Sequence, residues 1–106
     1  MRPELLKGNL DLLLLSILKE RPAHGYAIIE ELRARSDKAF DLPEGTVYPA
    51  LHRMERAGLL TSHWSDGEGR RRRVYQVSGL GEQALAAKQA EWQKFNRSVR
   101  LVLEGS

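Results

Sequence analysis

Arg70-Arg71-Arg72-Arg73 is the densest run of chemistry in the chain. Four adjacent guanidiniums repel one another, and a fold gains nothing by setting them side by side. What they do well is donate paired hydrogen bonds to phosphate, a task that suits arginine's planar fork better than lysine's point charge. The run follows Asp66-Gly67-Glu68-Gly69, a tight-turn signature, so the arginines stand at the tip of a hairpin. A charged hairpin edge also blocks aggregation. Lysine would serve that purpose equally, and the choice of four arginines favours phosphate contact. Alternation puts Arg71 and Arg73 on one strand face and Arg70 and Arg72 on the other. That spacing straddles a phosphate ridge or a narrow minor groove.

A second group lies in EGTVYPALHRMERAGLL, residues 44–60. At about 100° per residue, Val47, Ala50, Leu51, Met54 and Ala57 fall on one side of a helix, which is the core side. Opposite stand Gly45, Pro49, His52, Arg53 and Arg56, with Thr46 and Tyr48 on the flanks and Glu55 beside Tyr48 at the edge. Pro49 falls early in the second turn and leaves a backbone carbonyl without its helical partner, so this side is exposed or met by a ligand. Arginine and histidine are ordinary on a solvated face. On the second helix of a helix-turn-helix unit, the one that enters the major groove, they acquire a use. Arginine reads guanine, a tyrosine hydroxyl reaches phosphate, and a proline ring touches a thymine methyl.

Catalysis has little to stand on. His24, His52 and His63 are isolated, no carboxylate lies at metal-ligand or triad spacing near them, and there is no cysteine. Gly67 and Gly69 serve a hairpin, not a phosphate loop. No enzyme, no metal and no cofactor is expected. RNA is disfavoured because the strands lack the stacking aromatics of an RNA platform. The competing reading is a winged-helix module that binds another protein and never reads DNA.

The elements that must carry these residues fit one small domain of 106 residues, with 42% hydrophobic and 29% charged residues and a net charge of +3. Those proportions suit a globular chain and permit nucleic-acid binding. The leucine run Leu12–Leu15 is far short of the roughly 18 apolar residues of a membrane span, and Arg21-Pro22 stands where a signal cleavage site would be. A cytoplasmic protein with no membrane partner is expected. Residues 4–20 read as a helix apolar on more than one face, hence covered on more than one side. Residues 24–36 make a second helix, with Tyr26, Ile29 and Leu32 as its buried side, and Phe40 and Leu42 anchor the connection that follows. The third helix runs over 44–57 and is capped by Gly58. Strands at 59–65 and 70–77 form the hairpin, and a last helix covers about 80–103. The expected fold is mostly α (α+β): a winged helix-turn-helix over 1–78 and a long C-terminal helix over 79–106 packed with the N-terminal one.

With HGYAI opening the second helix, EGTVYPALHRMERAGLL through the third and RRRRVYQVSGLG leaving the hairpin, the chain resembles the PadR-like transcriptional regulators, in the small subfamily with a single C-terminal helix. It departs from the family pattern at Ser78-Gly79-Leu80-Gly81, where relatives tend to carry a threonine and a more helix-prone start. The resemblance implies a homodimeric repressor on a palindromic double-stranded DNA operator. The DNA-contacting set is then Tyr26, Thr46, Tyr48, Pro49, His52, Arg53, Arg56 and Arg70 to Arg73.

The resemblance also implies that the first and last helices build the dimer, with Leu6, Leu10, Leu13, Leu85, Trp92, Phe95, Val99 and Val102 in the seam. Trp92 is open to two uses. It is interface packing, or it stacks on a planar aromatic or cationic effector as in the multidrug-binding relatives, with Lys88 and Phe95 beside it.

Overall fold

The computed structural model describes residues 6–105. In chain order its elements are α1 (Leu10–Glu20), β1 (Ala23–His24), α2 (Gly25–Arg35), α3 (Glu44–Arg56), β2 (Leu60–Ser65), a single 3₁₀ turn (Gly67–Gly69), β3 (Arg72–Val77) and α4 (Gly79–Glu104). The sheet is antiparallel in the order β1-β3-β2. The hairpin register sets Leu60 opposite Val77 and Ser65 opposite Arg72.

Each element's apolar face meets at one core. Leu14, Leu15 and Leu18 come from α1, Ile28 and Leu32 from α2, Val47, Leu51 and Met54 from α3, Leu60 and Tyr75 from the hairpin, and Leu85 from α4. The 3.6-residue spacing of α3 therefore sorts as expected. Ala57, expected on the core side, is exposed, because it is the C-cap and the helix has already ended.

Several boundaries and one buried face differ from the sequence reading. The helix expected over 4–20 is interrupted: Leu6 is helical, residues 7–9 form a turn with Gly8 at φ 90°, and α1 begins at Leu10. The expected start at Glu4 and Leu5 lies outside the described residues. His24, read as helical, instead caps α2 and pairs with Val74 in the two-residue strand β1. Tyr26, read as buried, is exposed, because α2 turns Gly25, Ile28 and Leu32 inward. Phe40 and Leu42 are half-buried in the connection before α3, and Leu42 packs against the core.

Gly58 ends α3 as expected. At φ 82° its N–H donates to Glu55 O at 3.0 Å and the N–H of Leu59 to Met54 O at 2.9 Å. This double closure satisfies the last carbonyls of the helix and turns the chain into β2.

Ser78-Gly79-Leu80-Gly81, the stretch unlike the family pattern, has a local reason. Ser78 Oγ accepts from the N–H of Gly81 at 3.0 Å, capping α4, and donates to Gly58 O at 2.6 Å, tying that helix to the end of α3. A Cβ at Gly81 would lie 2.1 Å from Leu59 O, so only glycine lets α4 start this close to the strand. Serine's short side chain and glycine's missing one are both in use.

From there α4 runs 26 residues, about 39 Å at 1.5 Å per residue. Only Gly81 and Leu85 in it are buried. Its middle lies against α1, its last turns project with Val102 and Leu103 exposed, and the molecule measures 57 × 29 × 20 Å.

Candidate nucleic-acid interface

At Gly25, the glycine of HGY, a Cβ would sit 2.5 Å from the ring of Tyr48. The ring of α3 therefore lies directly on the start of α2, held there by the absence of a side chain. Tyr48 is half-buried by this contact. Beside it opens a cleft of about 440 Å³ lined by His24, Tyr26, Glu44, Tyr48, Arg70, Arg71 and Arg72. Two tyrosines expected to touch DNA and three of the four hairpin arginines thus converge, although they are far apart in sequence. The Tyr26 hydroxyl is held above its ordinary pKa of 10.0, first by a hydrogen bond involving Glu30 and then by that carboxylate's charge. It stays protonated and remains a donor.

The exposed face of α3 is as the sequence orders it. Pro49, His52, Arg53 and Arg56 are exposed and Thr46 is half-buried at the flank. Arg53 has a partner within the chain. Its Nη1 donates to Asp11 Oδ2 at 2.9 Å and its Nη2 to Asp11 Oδ1 at 2.7 Å, a two-pronged bridge to α1. The hydrogen bonds from Arg53 hold the Asp11 carboxyl below its ordinary 3.8, against burial, and Lys88 of α4 adds a smaller attraction. Nothing in the sequence marks this pair, since 42 residues separate its members.

The strand expected to start at Arg70 starts at Arg72, so only Arg72 and Arg73 alternate within β3. Arg71, just before it, lines the cleft with Arg70 and Arg72 while its guanidinium also reaches Trp64. Arg71 stacks over the Trp64 ring at 4.8 Å from its centroid and Arg73 at 5.3 Å. Arg73 also lies 3.5 Å from Glu55, which accepts a hydrogen bond from Ser62. On the other face, Arg72 Nη1 is 3.4 Å from His24 Nε2. Arg70 and Arg71 are exposed, Arg72 and Arg73 half-buried. The sequence pointed to the arginines and missed what braces them: Trp64, Glu55 and His24.

The remaining expected residues are on the other side of the molecule. A cavity of about 500 Å³ lies between α1 and α4, walled by Leu12, Leu13, Phe40 and Trp92, with the neutral polar groups of Asn9, Ser16, Gln89 and Gln93 at its rim. Lys88 and Phe95 line a smaller adjoining depression that shares Trp92. Phe40 of the α2–α3 connection and Gln89 and Gln93 of α4 were not anticipated in this cavity; tertiary packing brings them together. Among residues expected in the seam, Phe95 and Val102 are 69% and 79% exposed. Leu6, Leu10, Leu13 and Val99 are half-buried. Leu85 is a correction: at 1% exposure it belongs to the chain's own core and has no surface to offer a partner.

A helical layer, a third helix with a basic outer face and a two-stranded wing tipped with arginine define a winged helix-turn-helix DNA-binding protein. Residues 14–87 match the Transcriptional regulator PadR-like family, and the chain belongs to that family. Transcriptional regulator Rv3488 of Mycobacterium tuberculosis is 35% identical over 80 residues, covering 76% of this chain and 72% of that protein. A PadR family transcription regulator of Clostridium difficile R20291 superposes with a TM-score of 0.79 at 35% identity, covering 91% of this chain and 99% of the other. A PadR family transcriptional regulator of Eggerthella lenta gives 0.83 at 35% identity, over 97% and 88%. The chain is accordingly a DNA-binding transcriptional regulator and not an enzyme. No helix among the described residues is long and apolar enough to cross a membrane.

Proposed function

We propose that the chain is a homodimeric repressor that reads a palindromic operator and is released when a planar small molecule fills the cavity beside Trp92. The observation that carries the DNA-reading half is the cleft in which Tyr26, Tyr48 and Arg70 to Arg72 meet beside the exposed face of α3. In this reading Thr46, Pro49, His52 and Arg56 meet base edges in the major groove and the wing arginines hold the flanking phosphates. Their support is the exposure of Pro49, His52 and Arg56. Arg53 acts through its bridge to Asp11.

Support for pairing is the apolar length of α4 beyond Leu85, where Trp92, Phe95, Leu101, Val102 and Leu103 are exposed on a single chain. Surfaces of this kind mark protein interfaces. Support for an effector is the cavity itself, large enough for an aromatic ligand and apolar apart from an amide and hydroxyl rim. Repression follows if the operator overlaps a promoter. An effector that prefers the subunit spacing unable to span two grooves then weakens DNA binding, and DNA weakens effector binding by the same factor.

The test is hydroxyl-radical footprinting on the upstream region of the chain's own gene. Two equal protected half-sites, about 34 Å apart as a two-fold pair of reading helices requires, are expected on one face of the duplex. Protection without two-fold symmetry would remove the palindromic dimer from this reading.

A further inference from the structure

Arg53 stands on the exposed face of α3, where an arginine would ordinarily be taken for a base reader. Its two terminal nitrogens are both engaged by the two oxygens of Asp11. That is the same fork that would otherwise meet the two acceptors of a guanine. Asp11 is the better covered partner, 18% exposed in its side chain against 56% for Arg53. Freeing Arg53 for a base would leave a largely covered carboxylate unpaired, which is costly. The pair also sits where three helices meet: Asp11 on α1, Arg53 on α3, and Lys88 of α4 within electrostatic reach of Asp11. In chain order Asp11 stands between Asn9 and Leu12, both of which line the cavity beside Trp92.

We propose that Asp11 is a positioning residue for DNA reading: its two-pronged grip on Arg53 fixes the tilt of α3 against α1, and through that turn of α1 ties the DNA face to the cavity at Trp92. A lone hydrogen bond lets a helix swivel about its axis. Two parallel bonds from one guanidinium to one carboxylate fix orientation as well as distance. The grip lies on the flank of α3 away from the wing, where Glu55 and Arg73 brace the opposite flank. Held on both sides, α3 presents Thr46, Pro49, His52 and Arg56 at one angle.

This inference rests on the DNA-reading assignment, and electrostatics gives it a signature of opposite sign to the trivial effect. Removing a negative charge from a DNA-binding protein raises its affinity for every duplex. Asp11→Asn keeps the shape, removes that charge and breaks the two-pronged bridge. A positioning role requires the preference for operator over random duplex to fall even so. The loss expected is roughly fivefold or more, the cost of one disturbed base contact. Arg53→Lys, which keeps the charge but offers no fork, should lose preference in the same way. If Arg53 were itself a base reader, Asp11→Asn would release it, and the preference would rise.

The experiment measures the affinity of the full chain, by fluorescence anisotropy at two salt concentrations, for a duplex enriched from a randomised pool and for a scrambled one. Folding of each variant is checked by circular dichroism. A second measurement uses 5-fluorotryptophan, which gives one ¹⁹F resonance for each of the two tryptophans; a Trp92→Phe sample assigns them. Addition of the enriched duplex should shift the Trp92 resonance in the wild type and leave it in place in Asp11→Asn. An Asp11→Asn protein that keeps or raises its duplex preference, or whose Trp92 resonance still moves as in the wild type, overturns the inference. A wild type that cannot tell the two duplexes apart overturns the DNA-reading assignment beneath it instead.

Discussion

Tyr48 illustrates how a residue proposed to meet DNA is aimed. Its ring rests on the one residue of α2 that has no Cβ, so its direction is set by contact with backbone and not by a hydrogen bond that water could replace. Gly25→Ala would put a methyl group 2.5 Å from that ring. The ring must move or the two helices must part, and overpacking of this kind costs about 1–3 kcal/mol. Urea denaturation should register that loss, and, on the proposed role of Tyr48, operator affinity should fall more than affinity for random duplex. A variant that loses stability but keeps its duplex preference would make Tyr48 a packing residue alone. The family motif HGY is legible in the sequence, but the reason for its glycine is not. That reason is a contact between residues 25 and 48, which only the packing of α2 on α3 creates.

The wing is where sequence and structure agree in pattern and differ in consequence. Alternation puts Arg71 and Arg73 together, and both guanidiniums stack on Trp64, although Arg71 precedes β3 and also lines the cleft with Arg70 and Arg72. The partners could not be read, because Glu55 reaches Arg73 from α3 and His24 lies by Arg72 from β1, a strand two residues long with no periodicity to detect. These contacts rank the arginines. Arg73 already faces a carboxylate, so Arg73→Ala should change the salt dependence of DNA binding little. Arg71→Ala, which removes a cation from the exposed tip, should flatten the slope of log affinity against log salt by about 1 per subunit, hence about 2 for the proposed pair, for operator and random duplex alike. A titration across salt concentrations decides it. Equal slopes for Arg71→Ala and wild type would remove the wing tip from the phosphate contacts.

In the whole molecule, the helices and hairpin were legible because their apolar spacing and turn glycines are local signals. The expected seam was legible only in part. Leu85, Trp92 and Val99 stand seven residues apart on α4, yet Leu85 fills the chain's own core while Phe95 and Val102 are exposed. Substitution should separate the two zones. Leu85→Ala should destabilise each subunit by about 2–5 kcal/mol. Phe95→Asp with Val102→Asp should leave the α1–α3 core folded, by circular dichroism, and shift sedimentation from a pair to a single chain. A double variant that still sediments as a pair would place the contact elsewhere. The long unsupported reach of α4 carries a further consequence at low copy number. For the proposed homodimer, mass action makes the competent species scale with the square of the protomer count. Halving expression would then cut operator occupancy about fourfold in the dilute limit, and the proposed repression would become a threshold on gene dosage.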